Sequence, residues 1–292
     1  MTTSTYTAPH LAHWPARLPR ALEVPATSLW FNLEVSARRW PDKAAYVFFG
    51  QRLRFAELHA QAEAIAGWLQ AHGVGAGDRV IVYLQNCPQY AAAVYGVLRA
   101  NAVVVPVNPM NKADEFGHYV TDPEARVAIT SADLAPIVAE ADGRLPPGQR
   151  LRRVLVTRYA DAMPAGELDP AEAPAPAVLD WLRTPLQLPD DRFVAWTAAL
   201  TAGHRPGPHT AGPDDLALLP YTSGTTGLPK GCMHTHRTLM HNAVSGLWTN
   251  SGAETVGLGV VPMFHITGMM LCALSTVYAG ATLVLVPRWD RE

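Results

Sequence analysis

Apolar and polar positions follow two periods along most of the chain, and the switches between them mark its elements. Short apolar runs bounded by Gly, Pro, Asn or Asp read as strands, and apolar positions three and four apart read as one face of a helix. Residues 45–49 (AYVFF), then Gly50-Gln51, then 52–55 predict a hairpin. Leu58, Ala62, Ile65, Trp68 and Leu69 fall on one helical stripe, with Gly73 where a glycine commonly ends a helix. RVIVYL at 79–84 is a buried-strand run, and Pro88 suits the first position of a helix reaching about residue 100. A strand at 102–107 follows, then a short helix at 113–120 stopped by Asp122-Pro123, and a strand at 126–130. Ser131 or Asp133 can cap the next helix, which ends near Glu140, and a strand at 153–157 closes this series.

Residues 160–213 break the pattern. Pro, Ala and Asp dominate there and Ala-Pro pairs recur, so the segment reads as a linker with one small helix near 192–200. Regular patterning returns with LALLPY at 216–221 and a strand candidate at 231–236. A helix at 238–248, a strand at 256–261, a helix near 267–277 and a strand at 281–286 complete the chain. Strands alternating with helices over short connections predict an α/β fold of mostly parallel sheets flanked by helices. The expected division is an N-terminal arm (1–28), an N-terminal α/β subdomain (29–159), a Pro/Ala-rich linker (160–213) and a second α/β subdomain (214–292).

Composition narrows the function classes. The 292 residues fit one large or two smaller globular units, and the 49% hydrophobic content supports a core. The net charge is −2 with both signs mixed, so no basic stripe points to nucleic acid. No apolar run reaches about 18 unbroken positions, so no membrane span is expected. Cys87, Cys232 and Cys272 are few, distant and odd in number, which argues against a disulfide framework and for a reducing, cytoplasmic setting. Cys232, His234 and His236 alternate along a strand candidate, but three ligands without a C-x-x-C partner make a weak zinc case, and no metal site is expected. Gly73, Gly75 and Gly77 precede a strand instead of following one, so they do not form a dinucleotide loop.

The chemistry concentrates in Tyr221-Thr222-Ser223-Gly224-Thr225-Thr226-Gly227-Leu228-Pro229-Lys230-Gly231, directly after an apolar strand. Glycines let successive backbone N–H groups converge on an anion, hydroxyls add donors, and Lys230 adds a mobile positive charge. The string describes a cradle for a nucleotide polyphosphate, although a small-residue surface turn has similar content. It is not a Walker A loop, because Lys230 lies between Pro229 and Gly231. His265, in Pro262-Met263-Phe264-His265-Ile266-Thr267-Gly268, follows an apolar strand. By itself it reads first as a helix-start histidine satisfied in the core.

Residues 221–231 resemble the signature of the AMP-forming acyl-adenylate family, which includes acyl-CoA synthetases, aryl-CoA ligases, luciferases of the firefly type and peptide-synthetase adenylation domains. Residues 262–268 resemble that family's P-x-F-H-x-x-G segment, and Gly280-Ala281-Thr282-Leu283 follows in the family's order. The resemblance runs from about Leu29 to Trp289 and implies the N-terminal part of the large domain of an acyl-adenylate-forming enzyme. It implies ATP and Mg²⁺ as cofactors and CoA as co-substrate, with a fatty or aromatic carboxylic acid as the other small-molecule partner. It assigns Thr222, Ser223, Gly224, Thr225, Thr226 and Gly227 to the β- and γ-phosphates, Lys230 to a mobile catalytic cation, and His265 to the reacting carboxylate. Met263, Phe264, Met269, Met270 and Leu271 fit an apolar pocket wall or ordinary core.

The family's Y-G-x-T-E and T-G-D strings and its C-terminal lid are not found in the sequence. The expectations are therefore a chain cut just after a strand, inactive alone, with the 281–286 strand left as an exposed edge that invites self-association. Delivery of the acyl group to a carrier protein, or a non-catalytic half that binds another chain, stand as alternatives.

Overall fold

In the computed structural model, which describes residues 8–18, 20–166, 168, 173–222, 227–246 and 252–288, the alternating pattern becomes two sheets with helices between and outside them. The first elements are α1 (Trp30–Arg39), β1 (Ala44–Phe48), β2 (Gln51–Arg54), α2 (Phe55–Ala71), β3 (Arg79–Tyr83), α3 (Pro88–Arg99) and β4 (Val103–Pro106). Next come α4 (Ala113–Thr121), β5 (Val127–Ser131), α5 (Ala135–Gly143), β6 (Arg153–Thr157), α6 (Pro176–Leu182), β7 (Phe193–Ala195) and α7 (Trp196–Thr201). The last are β8 (Leu216–Leu218), β9 (His234–Thr235), α8 (His236–Ser245), β10 (Val256–Gly259), α9 (Ile266–Gly268), α10 (Thr276–Ala279) and β11 (Thr282–Leu285), with a π-helical stretch, Met269–Ser275, joining α9 to α10.

One sheet has seven strands in the order β7-β6-β5-β3-β4-β8-β9, parallel except at β9, and the other has four in the order β10-β11-β1-β2, parallel except for the β1–β2 hairpin. Both sheets mix strands from 29–159 with strands from 214–292. The central strands are apolar on both faces because both are covered. Val80, Val82 and Ile129 belong to the core shared with α1, α2, α3 and the smaller sheet, whereas Ile81, Val103 and Ala128 belong to the core under α4 and α5. α3 is buried from Pro88 through Leu98, the expected outcome for a helix apolar on all sides. Gly96 lets α2 come close, since a Cβ there would stand 2.7 Å from Ile65 Cγ2.

Several expectations change in detail. The hairpin turns at Phe49-Gly50, one residue early, because both take positive φ (47° and 78°) as a two-residue type I′ turn demands. α1 has no counterpart in the sequence reading: its buried face includes Asn32 and Ser36, which interrupt the apolar period. Asn32 Nδ2 donates to Met240 Sδ at 3.4 Å, and Ser36 Oγ donates to the Val277 carbonyl at 2.6 Å. Neither Ser131 nor Asp133 caps α5, whose N-cap is Leu134. Ser131 instead donates to Asp133 at 2.5 Å, and Asp133 accepts the Trp181 indole N–H at 2.6 Å, tying α6 to the sheet. The strands do not stop at β6. Within 160–213, β7 pairs in parallel with β6, and α6 and α7 pack beside it.

The expected exposed edge at 281–286 is also corrected. β11 lies between β10 and β1, with Tyr46 opposite Leu283 and Val47 opposite Val284. Thr282 Oγ1 donates to the Ala44 carbonyl at 2.6 Å. A strand from near the N-terminus supplies the neighbour that local patterning could not reveal. The free edge on that side of the sheet is β10.

Candidate active site

Parallel strands leave loops at their C-terminal ends, where α/β proteins bind ligands. β4 and β8 are neighbours, so the loop after β4 and the glycine-rich segment after β8 meet there. A cleft of about 600 Å³ opens there, lined by Asn108, Asn111 and Glu115 from the segment after β4, by Tyr221, Thr222 and Pro229 from the glycine-rich segment, and by Phe264, His265 and Ile266 from the segment after β10.

The glycine-rich segment is closed at its base like a hairpin. Tyr221 and Gly231 form an antiparallel bridge, Thr222 N–H donates to the Lys230 carbonyl at 3.0 Å, and Cys232 N–H donates to the Pro220 carbonyl at 2.8 Å. Gly231 is required by this closure, since a Cβ would sit 2.9 Å from Leu219 Cγ. α4 grips both stems. His118 Nε2 donates to the Pro229 carbonyl at 2.8 Å, and the Tyr221 hydroxyl donates to Asp122 Oδ2 at 2.6 Å. Tyr119 packs edge-on against Tyr221 at 4.8 Å between ring centroids. Burial, followed by the neighbouring Asp122 carboxylate, raises the Tyr221 hydroxyl pKa well above its ordinary value, so the phenol stays a donor.

Thr222 lines the cleft. Gly227 and Lys230 are exposed and are not among the residues lining the cleft, and Lys230 has no ion-pair partner among the described residues. Ser223, Gly224, Thr225 and Thr226 lie outside the described residues. His265 is exposed at the cleft and is the N-cap of α9, its Nδ1 accepting from Thr267 N–H at 3.3 Å. It is thus a helix-start histidine, but not one held in the core. Gly268 allows the turn before it to fold tightly, because a Cβ there would lie 2.0 Å from the Pro262 carbonyl oxygen.

The apolar residues divide: Met263 and Met269 are buried in the core, Phe264 lines the cleft, and Leu271 is exposed. The π-helical stretch sits directly behind His265, and such stretches occur often at functional sites. Thr276 Oγ1 donates to the Leu271 carbonyl five residues back at 2.8 Å, satisfying a group the wide turn presents.

The donors at the cleft suit an anion. Asn111 and His265 face it, and its carboxylate, Glu115, already accepts Lys112 N–H at 2.9 Å as part of the α4 cap. Among the described residues no group of three or more His, Cys, Asp or Glu side chains could hold a metal ion. No helix among them is long and apolar enough to cross a membrane. Sequence reasoning missed His118, Tyr119, Asp122, Asn108 and Asn111. Only the polar interruption of an apolar strand–helix pattern at 108–112 carried any signal for them.

A fold that brings the stem of a glycine- and hydroxyl-rich segment and a helix-start histidine to one cleft at the ends of parallel strands defines a class, and residues 33–292 match the AMP-binding enzyme family. The chain belongs to that family. It is 32% identical over 288 residues to a long-chain-fatty-acid–CoA ligase of Bacillus subtilis (strain 168), covering 97% of this chain and 50% of the relative. It is 32% identical over 255 residues to a feruloyl-CoA synthase of Amycolatopsis sp, covering 87% of this chain and 43% of the relative. Among solved structures, the inhibitor-bound N-terminal domain of FACL13 from Mycobacterium tuberculosis superposes with a TM-score of 0.68 at 28% identity, covering 90% of this chain and 58% of that one. The expected likeness to the N-terminal part of such enzymes agrees with these matches. The chain spans about half the length of the curated relatives it matches.

Proposed function

We propose that this chain supplies the phosphate-loop half of an enzyme that activates a carboxylic acid with ATP, forming an acyl-adenylate and then a CoA thioester. The observation that carries the reading is the cleft itself, which the stem of the glycine-rich loop and His265 line together at the ends of parallel strands. The two reactants are both anions, so the barrier is mainly electrostatic and falls when preorganised donors surround the phosphates. Thr222, Ser223, Gly224, Thr225, Thr226 and Gly227 would hold the β- and γ-phosphates, Lys230 would follow the charge as it moves to pyrophosphate, and His265 would stand by the carboxylate. The fit to a nucleotide rests on the donors that line the cleft and on Lys230, exposed and without an ion-pair partner among the described residues. Mg²⁺ would arrive with the nucleotide, neutralising its phosphates. The likeness to a long-chain-fatty-acid–CoA ligase and to a feruloyl-CoA synthase supports a fatty or aromatic substrate. The three free cysteines fit a cytoplasmic setting.

The chain by itself is expected to bind ATP weakly and to make no acyl-CoA. The test supplies residues 1–292 with ATP, Mg²⁺, CoA and a panel of fatty and aromatic acids, and follows acyl-CoA by mass spectrometry. Acyl-CoA formed by this chain alone would overturn the half-site reading. Offering a carrier-protein thiol in place of CoA to a mixture that forms adenylate separates the carrier-delivery alternative.

A second reading, a half that associates with another chain or with itself, has its own observation. β10 is an edge strand whose Val256 and Leu258 are 69% and 62% exposed. Its other face carries Gly257 and Gly259, over which Leu283 folds. Apolar edges of this kind pair with other strands. Sedimentation velocity of the chain and of its V256K/L258K variant decides it: a concentration-dependent dimer lost in the variant supports self-association, and a monomer at every concentration removes it.

A further inference from the structure

We infer that Asn86 is a positioning residue for His265, acting through the backbone of the turn that carries it. The inference rests on the proposed role of His265 at the carboxylate. Asn86 lies in the turn between β3 and α3, is 4% exposed, and belongs to none of the segments the sequence singled out. Its side-chain amide meets the backbone of residues 261–263 with both of its groups. Met263 N–H donates to Asn86 Oδ1 at 2.7 Å, and Asn86 Nδ2 donates to the Val261 carbonyl at 3.1 Å. An amide matches this donor–acceptor pair with no charge to desolvate. An isosteric carboxylate would set an oxygen against the Val261 carbonyl in a buried place.

The mount on the other side is stiff. Gln85 N–H donates to the Tyr159 hydroxyl at 3.2 Å, and that hydroxyl donates to Ser131 Oγ at 3.0 Å. Ser131 in turn donates to Asp133, which also holds the Trp181 indole. Gln85, Tyr159 and Ser131 are buried and Asp133 and Trp181 half-buried, and hydrogen bonds linked in this way hold one geometry. On the far side, His265 N–H donates to the Pro262 carbonyl at 3.1 Å and Met269 N–H donates to the His265 carbonyl at 2.8 Å. Asn86 therefore ties the turn after β3 of the larger sheet to the three-residue strap, 261–263, from which His265 starts its helix. Without it, the strap keeps its local turn but loses its reference to the phosphate-loop side of the cleft.

The experiment uses the 292-residue chain and its Asn86→Ala and Asn86→Asp variants. Amide hydrogen exchange by NMR should show Met263, His265 and Met269 exchanging at least about tenfold faster in both variants, as local opening becomes easier. Val82 and Ile129, in β3 and β5, should keep their protection. The His265 imidazole signal, assigned with His265→Gln, should shift in both variants while thermal unfolding stays cooperative, its midpoint lowered by a few degrees for the buried groups left unpaired. Unchanged protection at 263–269 would overturn the inference. A loss spread evenly through β3 and β5 would also overturn it, making Asn86 a fold residue only. Adding ATP with octanoate then separates the two readings. If the wild-type Thr222 amide shifts, showing that the cleft is occupied, and the His265 signal does not, the functional assignment of His265 fails, while the exchange result still decides whether Asn86 holds the strap. If it responds in the wild type and not in Asn86→Ala, both stand.

Discussion

His236 offers a stability switch whose size follows from its surroundings. It opens α8 with 1% of its surface exposed, and its Nδ1 accepts the Leu29 N–H at 3.1 Å. An accepting Nδ1 places the imidazole in its neutral form, with its proton on Nε2. Burial first, then the neighbouring His209, lower its pKa from 6.5 to about 4, against a smaller opposing pull from Asp215. The unfolded chain binds a proton near 6.5 and the folded chain only near 4, so between these values the unfolded state holds more protons. Stability from this group is complete above pH 6.5 and is lost as pH falls toward 4. At about 1.36 kcal/mol per pH unit the loss is about 3 kcal/mol, a large share of the roughly 5–15 kcal/mol that holds a domain together. His59 and His209 are also lowered, chiefly by burial, and add slope in the same direction. Comparison with His236→Asn isolates the one group, because the asparagine oxygen can still accept Leu29 N–H but does not titrate. Urea unfolding of both proteins from pH 7.5 to 4.5 should show the wild type losing about 2–3 kcal/mol more than the variant. Equal pH slopes would refute the reasoning, as would an NMR titration of His236 with a midpoint near 6.5.

Gly268→Ala forces a Cβ to within 2.0 Å of the Pro262 carbonyl, which is backbone and cannot swing aside. A cost of about 1–3 kcal/mol or more is expected from overpacking, read as a lower urea midpoint. His118→Ala removes the bond to Pro229 and should leave global stability within about 1 kcal/mol, while the Thr222 amide, bonded to Lys230, exchanges faster. Unchanged exchange at Thr222 would show that α4 does not hold the loop stem. Thr225→Val with Thr226→Val, in an enzyme competent for the full reaction, should lower turnover about 10–1000-fold with little change in KM for ATP, since donors to developing charge act in the transition state. An unchanged turnover number would remove these hydroxyls from the mechanism.

How much of this was legible beforehand depended on the range of the forces involved. The run RVIVYL, the stripe Leu58–Ile65–Leu69, Pro88 at a helix start and Gly73 at a helix end report local periodicity and backbone preference, so the sequence by itself determined the α/β pattern and most of its elements. The loop at 221–231 was legible for the same reason, because its glycines and hydroxyls are contiguous. Where an element depends on a partner far along the chain, local pattern fails. α1 hides its apolar face behind Asn32 and Ser36, whose partners Met240 and Val277 lie more than 200 residues away. β11 gains its neighbour from β1, and β7 joins a sheet out of a segment rich in proline. The candidate site shows the same divide. Its glycine-rich segment and its histidine stand in the sequence, but the meeting of the segment's stem and His265 at one cleft, the grip of His118 and Asp122 on that stem, and the tether from Asn86 to the histidine's turn were decided by tertiary structure alone. Side-chain hydrogen bonds to distant backbone leave no periodicity behind, so only the packing of β4 beside β8, and of one sheet against the other, could bring them together.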